Sequence, residues 1–166
     1  MTVFNRLAAS KEVLLDEVER PGSVVDRRAG LNLPHVAPLE RWARDISKAE
    51  DEHVPSFDPR SAGVEAKLLV LLQDPSRAAA YGSRFISIDN NDQTAHNCSK
   101  AYEATGLDYG EALHWNVIPW WVDDPQRAHE RDRTLVAQSR RARPYLAALI
   151  SMLPRLQAVV LLGKHA

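Results

Sequence analysis

Leu68-Leu69-Val70-Leu71-Leu72-Gln73-Asp74-Pro75-Ser76 is the stretch that decides how this chain folds. An unbroken apolar run ends in an amide, a carboxylate and a proline. Such a run predicts a strand buried on both faces, the kind found in parallel sheets. In open α/β sheets ligands bind just beyond the C-terminal ends of the strands. Asp74 therefore falls where chemistry is usually placed. Pro75 fixes its own φ, removes a backbone donor and pushes Asp74 toward extended backbone. From this stretch alone two readings stay open. Asp74 is a pre-positioned acid at the mouth of a sheet, or Asp74-Pro75 only opens a turn.

Outward from this strand, the rest of the chain supplies its partners. Phe4 to Glu19 carries Leu7, Leu14, Leu15 and Val18 at helical spacing, and Pro21-Gly22 ends the run. Pro38 to Lys48 predicts a second helix with Leu39, Trp42, Ala43 and Ile46 on one face. His53 to Gly63 reads as a loop, and the first strand as about Ala66 to Leu72. A long connection from Pro75 to Asn91 follows; its length marks it as functional. Asp92 or Thr94 is placed to cap a helix that reaches Ala104 and stops at Gly106. Leu113 to Ile118 predicts a second strand closing in Pro119-Trp120-Trp121. Pro125 to about Leu153 predicts a helical region interrupted or kinked at Pro144, and Ala158 to Leu162 a third strand. Strand, helix, strand, helix, strand implies right-handed crossovers. The expected fold is α/β, a three-layer α/β/α arrangement around a short parallel sheet, in one domain over residues 1–166. Residues 1–50 would be a helical extension packed on it.

Composition excludes several classes. With 166 residues, 45% hydrophobic and 26% charged, the chain suits one domain with a real core. No apolar run approaches the roughly 20 residues of a membrane span. The N-terminus lacks the order of a secretory signal, so a cytoplasmic location is the default expectation. One cysteine, Cys98, allows no internal disulfide and no multi-cysteine metal site; it is expected to pack on a helix. His35, His53, His96 and His129 are scattered without ligand spacing, so no metal is expected. His114 is expected to be a satisfied structural histidine. The net charge of -1 announces no global attraction to nucleic acid. Arg127 to Arg143 is the local exception, with six arginines against Glu130 and Asp132. That run either tracks phosphates or forms a solvated helix face laced with i,i+4 pairs.

Three features are expected at strand ends: Gln73-Asp74-Pro75, Phe85 and Asn116. An aromatic face, an amide and a carboxylate suit a planar heterocycle. The ring stacks on phenyl, the amide meets a base edge, and the carboxylate orients water or stabilises a developing cation.

Over Val54 to Ala166 the chain resembles the uracil-DNA glycosylase superfamily, in particular a bacterial branch of uracil-DNA glycosylase-like proteins. Val54-Pro55-Ser56-Phe57-Asp58-Pro59 with Gly63-Val64-Glu65-Ala66 resembles the lead-in to that branch's first strand. Gln73-Asp74-Pro75 is similar to the family motif G-Q-D-P-Y-H, and Gly82-Ser83-Arg84-Phe85 to the segment bearing the stacking phenylalanine. Asp89 to Ala95 resembles the start of the following helix. Trp115-Asn116-Val117-Ile118-Pro119-Trp120 resembles the strand carrying the base-reading asparagine, and Leu161 to Ala166 the third strand and next helix start.

The resemblance implies a role for each matching residue. Asp74 would hold the attacking water, and Gln73 would donate a backbone N–H to a uracil carbonyl. Phe85 would stack on the flipped base, and Asn116 would read its edge. Arg140, Arg141 and Arg143 are the candidate contacts to the DNA backbone. The implied protein is a monomer that acts on DNA, with no cofactor and no metal. Departures from the family pattern are plain. Leu72 replaces the motif's first glycine, Ser76 replaces its tyrosine, and H-P-S-P is absent. Hence a fourth edge strand is expected to be missing, the chain either stopping short or being a degenerate member, with glycosidic hydrolysis weak or lost. The rival expectation is a non-catalytic nucleic-acid or nucleotide-binding module on the same fold.

Overall fold

The computed structural model describes residues 3–130 and 132–163. In chain order the helices and strands are α1 (Arg6–Ser10), α2 (Ser23–Arg28), α3 (Ala37–Glu50), β1 (Ser56–Phe57), β2 (Leu68–Leu72), β3 (Phe85–Ile86), α4 (Gln93–Thr105), β4 (Ala112–Asn116), α5 (Leu135–Ser151) and β5 (Ala158–Leu161). The fold is α/β. Strands β4, β2 and β5 form a parallel sheet with β2 in the centre, in the register Leu72↔Asn116 and Leu71↔Leu161. No described helix is long and apolar enough to cross a membrane.

Alternation along β2 and β4 divides the sheet into two faces. Leu69, Leu71, Leu113 and Trp115 enter the main core with Leu39, Ala43 and Ile46 of α3 and Ala142 and Leu149 of α5. Phe57 stacks on Trp115 with ring centroids 4.0 Å apart, and Trp42 packs against both. The other face, carrying Leu72, His114 and Asn116, looks toward α4 across a cavity. Helices therefore cover both faces over β2 and β4. Strand β5 lies at the edge, with Val159, Val160 and Leu161 exposed.

The helix ends follow their sequence signals. Asp92 caps α4, its Oδ1 accepting the Ala95 N–H at 2.8 Å, and Gly106 closes it at φ 69°. Thr134 caps α5. Pro144 lies within α5 without interrupting it.

Four expectations are corrected. The helix expected from Phe4 to Glu19 spans only Arg6–Ser10. Beyond it Glu12 takes φ 56°, and Leu15 forms a parallel bridge to Asn90, its N–H donating to the Asp89 carbonyl at 2.9 Å. A tertiary hydrogen bond has displaced local helical spacing. The helix expected to start at Pro125 is a single 3-10 turn, Pro125–Arg127, and α5 begins only at Leu135. The loop from His53 to Gly63 contains β1. The Pro75–Asn91 connection contains a π-helical turn at Ala78–Gly82 and β3. β1 and β3 pair with each other in parallel as a second small sheet.

Candidate functional site

The connection after β2 leads to α4 on one face of the sheet, and the connection after β4 leads to α5 on the other. Adjacent strands whose connections diverge in this way open a crevice at their C-terminal ends. Two further hydrogen bonds hold the crevice floor together: Val117 N–H to the Leu72 carbonyl (2.8 Å) and Ile118 N–H to the Gln73 carbonyl (2.9 Å). A cavity of about 640 Å³ continues from this crevice beneath α4. Gln73, Asp74 and Pro75 line it from β2's end, His114 and Asn116 from β4, and Cys98 and Ala101 from α4.

Asp74 is held from two sides. Its Oδ2 accepts the Val122 N–H at 2.9 Å and its Oδ1 accepts Gln73 Nε2–H at 2.8 Å. Burial raises its pKa above the ordinary carboxylate value, with these two hydrogen bonds opposing and the charge of Asp123 adding. Asn116 is 3% exposed, and its side-chain amide makes no hydrogen bond to a described residue. A buried amide without a partner is costly in a finished core. Here the residue lines the cavity wall.

His114, expected as a satisfied structural histidine, is buried with a hydrogen-bond partner and also lines the cavity. It lies two positions before Asn116 on the same strand, so alternation alone sets both on one face. Its Nε2 meets the Tyr102 hydroxyl at 2.9 Å. Burial pushes its pKa down to about 4, with Asp58 pulling the other way, so the imidazole is neutral near pH 7. Cys98 packs on α4 as expected. Burial, aided by the Asp92 charge, pushes its thiol up to about 11, so it stays protonated near neutral pH.

The cavity wall opposite β4 is the strap from Ile86 to Asn90, and the N-terminal segment clamps it. Asn5 Nδ2 donates to the carbonyls of Ile88 (2.7 Å) and Asn90 (3.0 Å). Arg27 bridges buried Asp58 (2.6 Å) and Asp89 (2.9 Å), and Arg60 joins Asp89 from the other side. Ser99 of α4 donates to the Ile88 carbonyl at 2.8 Å. Asp58 and Asp89 lie in segments quoted for the family resemblance, but neither segment signals this pairing. Asn5, Arg27 and Asp89 lie far apart in the chain, and tertiary folding brings them to one strap.

Two groups of predicted site residues lie elsewhere. Phe85 is fully buried with Leu15 and Val24 and lies under the Arg28 guanidinium, 5.7 Å from the ring centroid. It does not line the cavity. Pairing of β3 with β1 turns Ile86 toward the cavity and Phe85, its neighbour, to the opposite side. Among the described residues no Phe, Tyr or Trp lines the cavity. The arginines of α5 lie on the helix packed against the other face of the sheet. Arg141 bonds to Glu50 and Glu52 and covers the Trp120 ring at 4.9 Å. Arg127 and Arg133 also pair with Glu52. Arg140 and Arg143 are exposed on the same helix. The expected i,i+4 pairing of this run is corrected: Arg127, Arg133 and Arg141 reach Glu50 and Glu52, distant in sequence, and Arg127 and Arg133 also meet Glu130 at i,i+3. Arg131, and the segment Lys164-His165-Ala166, lie outside the described residues.

No family model, curated protein or solved structure matches this chain.

Proposed function

We propose that the cavity binds a single extruded nucleobase, and that the protein is a uracil-DNA glycosylase-like hydrolase of the N-glycosidic bond. The resemblance rests on the quoted motifs and their order. The observation that carries the reading is Asp74 and an unpartnered Asn116 amide on the walls of one cavity. In this reading Asn116 grips the base edge. Asp74 orients a water toward C1′ of the sugar while the C1′–N bond breaks. The bonding electrons leave with the base, the water oxygen joins C1′, and the water's proton ends on the base.

A second reading, base binding without hydrolysis, is favoured by specific features. Both Asp74 oxygens already accept protein hydrogen bonds, Phe85 lies outside the cavity, and Arg141 is engaged with Glu50. Uracil release from single- and double-stranded uracil oligonucleotides separates the two. Slow release that disappears in Asp74→Asn while binding persists supports the hydrolase. Uracil-dependent binding with no release, unchanged by that substitution, selects the module. Neither release nor uracil-dependent binding overturns both.

A further inference from the structure

We propose that His114 is a specificity-determining residue of this cavity: its Nδ1–H reads an acceptor on the bound heterocycle, next to the group read by Asn116. The inference rests on the reading of the cavity as a base site.

His114 and Asn116 lie at i and i+2 on β4, about 6.7 Å apart along the strand and on one face. Both are nine-tenths or more buried and both line the cavity. His114 is the deeper of the two, level with Val70 in the middle of the sheet. In this proposal the imidazole proton is assigned to Nδ1. Burial holds Tyr102 in its protonated form, and its hydroxyl makes no other hydrogen bond to a described residue. In this proposal the Tyr102 O–H donates to Nε2, and the proton of a neutral imidazole is then on Nδ1. The ring is wedged by Tyr102 of α4 and by the edge of Tyr109, whose hydroxyl meets Asp58 at 3.3 Å. Cys98 is the remaining titratable group that α4 turns toward this region, and it stays protonated. Nδ1 makes no hydrogen bond to a described residue. A donor fixed in tautomer and in ring orientation recognises a carbonyl oxygen or ring nitrogen, and rejects an analogue lacking it. Asn116 contributes one donor and one acceptor beside it. Together they suit a lactam heterocycle with two acceptors, a class that includes uracil.

The test uses the full chain and three free bases: uracil, 2-pyrimidinone and 4-pyrimidinone, the last two each lacking one carbonyl. Titration calorimetry should show wild type losing about tenfold in affinity for one of the two analogues, the size of a neutral hydrogen bond. In His114→Phe, uracil should bind as weakly as that analogue, and His114→Gln, which keeps an N–H donor, should recover part of the difference. Independently of any variant's folding, uracil should shift the Nδ1 and Hδ1 resonances of His114 in wild type. Uracil binding that moves the Asn116 amide resonances but leaves His114 resonances and carbonyl discrimination unchanged would overturn the proposal alone. Uracil that moves neither residue would sink the base-site reading, and the proposal with it.

Discussion

The two faces of β2 and β4 are built from alternate residues of the same short strands, yet they are opposites. One face presents Leu69, Leu71, Leu113 and Trp115 to a dense core under α3 and α5. The other presents Leu72, His114 and Asn116 to a hollow under α4. Stability is concentrated on the first face and the proposed recognition on the second, with one residue's displacement along the strand between them. Trp115 and Asn116 are the sharpest instance, since they are neighbours and both nearly fully buried. Trp115→Ala should cost about 3–5 kcal/mol in urea denaturation, from lost burial plus a cavity under Phe57. Asn116→Ala should change stability by less than about 1 kcal/mol, because it removes a buried amide without breaking a hydrogen bond. It should abolish base binding. Equal stability losses in the two variants would erase the distinction between the faces.

The core face is also tied together electrostatically. Glu52, 5% exposed, lies 2.6 Å from Arg133, 3.2 Å from Arg141 and 3.6 Å from Arg127. It joins the end of α3 to the start of α5. Removing one member of a buried ionic group leaves the others uncompensated. Glu52→Ala should therefore lower the unfolding free energy by about 3 kcal/mol. Base binding on the far face should be unchanged at temperatures where the variant is folded. A large change in affinity at full folding would mean that the faces are coupled through the sheet.

What the sequence made legible follows the same division. β2, β4, β5, α3 and α4 were readable because apolar period and capping residues act locally: Asp92 and Gly106 mark the ends of α4 wherever it packs. Asp74 and Asn116 were readable as strand-end residues for the same reason. Phe85 lies off the cavity because its direction depends on the pairing of β3 with β1, a contact between distant segments that no local pattern encodes. The shortened α1 has the same cause, with Leu15 drawn into a bridge to Asn90. The arginine run gave its charge correctly but not its partners, since Glu50 and Glu52 sit some 80–90 residues away in sequence. His114 has the partner expected of a structural histidine, Tyr102, and its i, i+2 spacing to Asn116 also sets it on the cavity face.

Asp74 offers a test of the cavity face through pH. Its carboxyl holds its proton more tightly in the folded chain than at the ordinary value of 3.8, chiefly through burial. Folding is thus favoured by the protonated form. This group's stabilising contribution is complete below 3.8 and is lost as pH rises through the raised folded value. At about pH 7 the ionised side chain weakens the fold. Asp74→Asn should unfold at a higher temperature than wild type there, and the two should converge as pH falls toward about 3. The same substitution should remove any uracil release. A variant less stable than wild type at neutral pH would show that the hydrogen bonds from Val122 and Gln73 outweigh the burial of the charge.

The smallest expected effect concerns the exposed arginines of α5. Arg140 and Arg143 are exposed on a helix that packs on the core face, away from the cavity. Replacing both with serine should shift stability by no more than about 0.5 kcal/mol. Arg141→Ala should cost more, since it strips Glu50 of its partner and uncovers the Trp120 ring. If DNA approaches the cavity mouth alone, the double variant should bind a uracil oligonucleotide with the wild-type slope of log affinity against log salt. A slope flatter by one to two units would mean that these two side chains neutralise phosphates. The strand would then have to run around the sheet from the hollow face to the dense one. In that case the face assigned to stability would share in recognition, and the division drawn from Trp115 and Asn116 would hold for the base but not for the backbone that carries it.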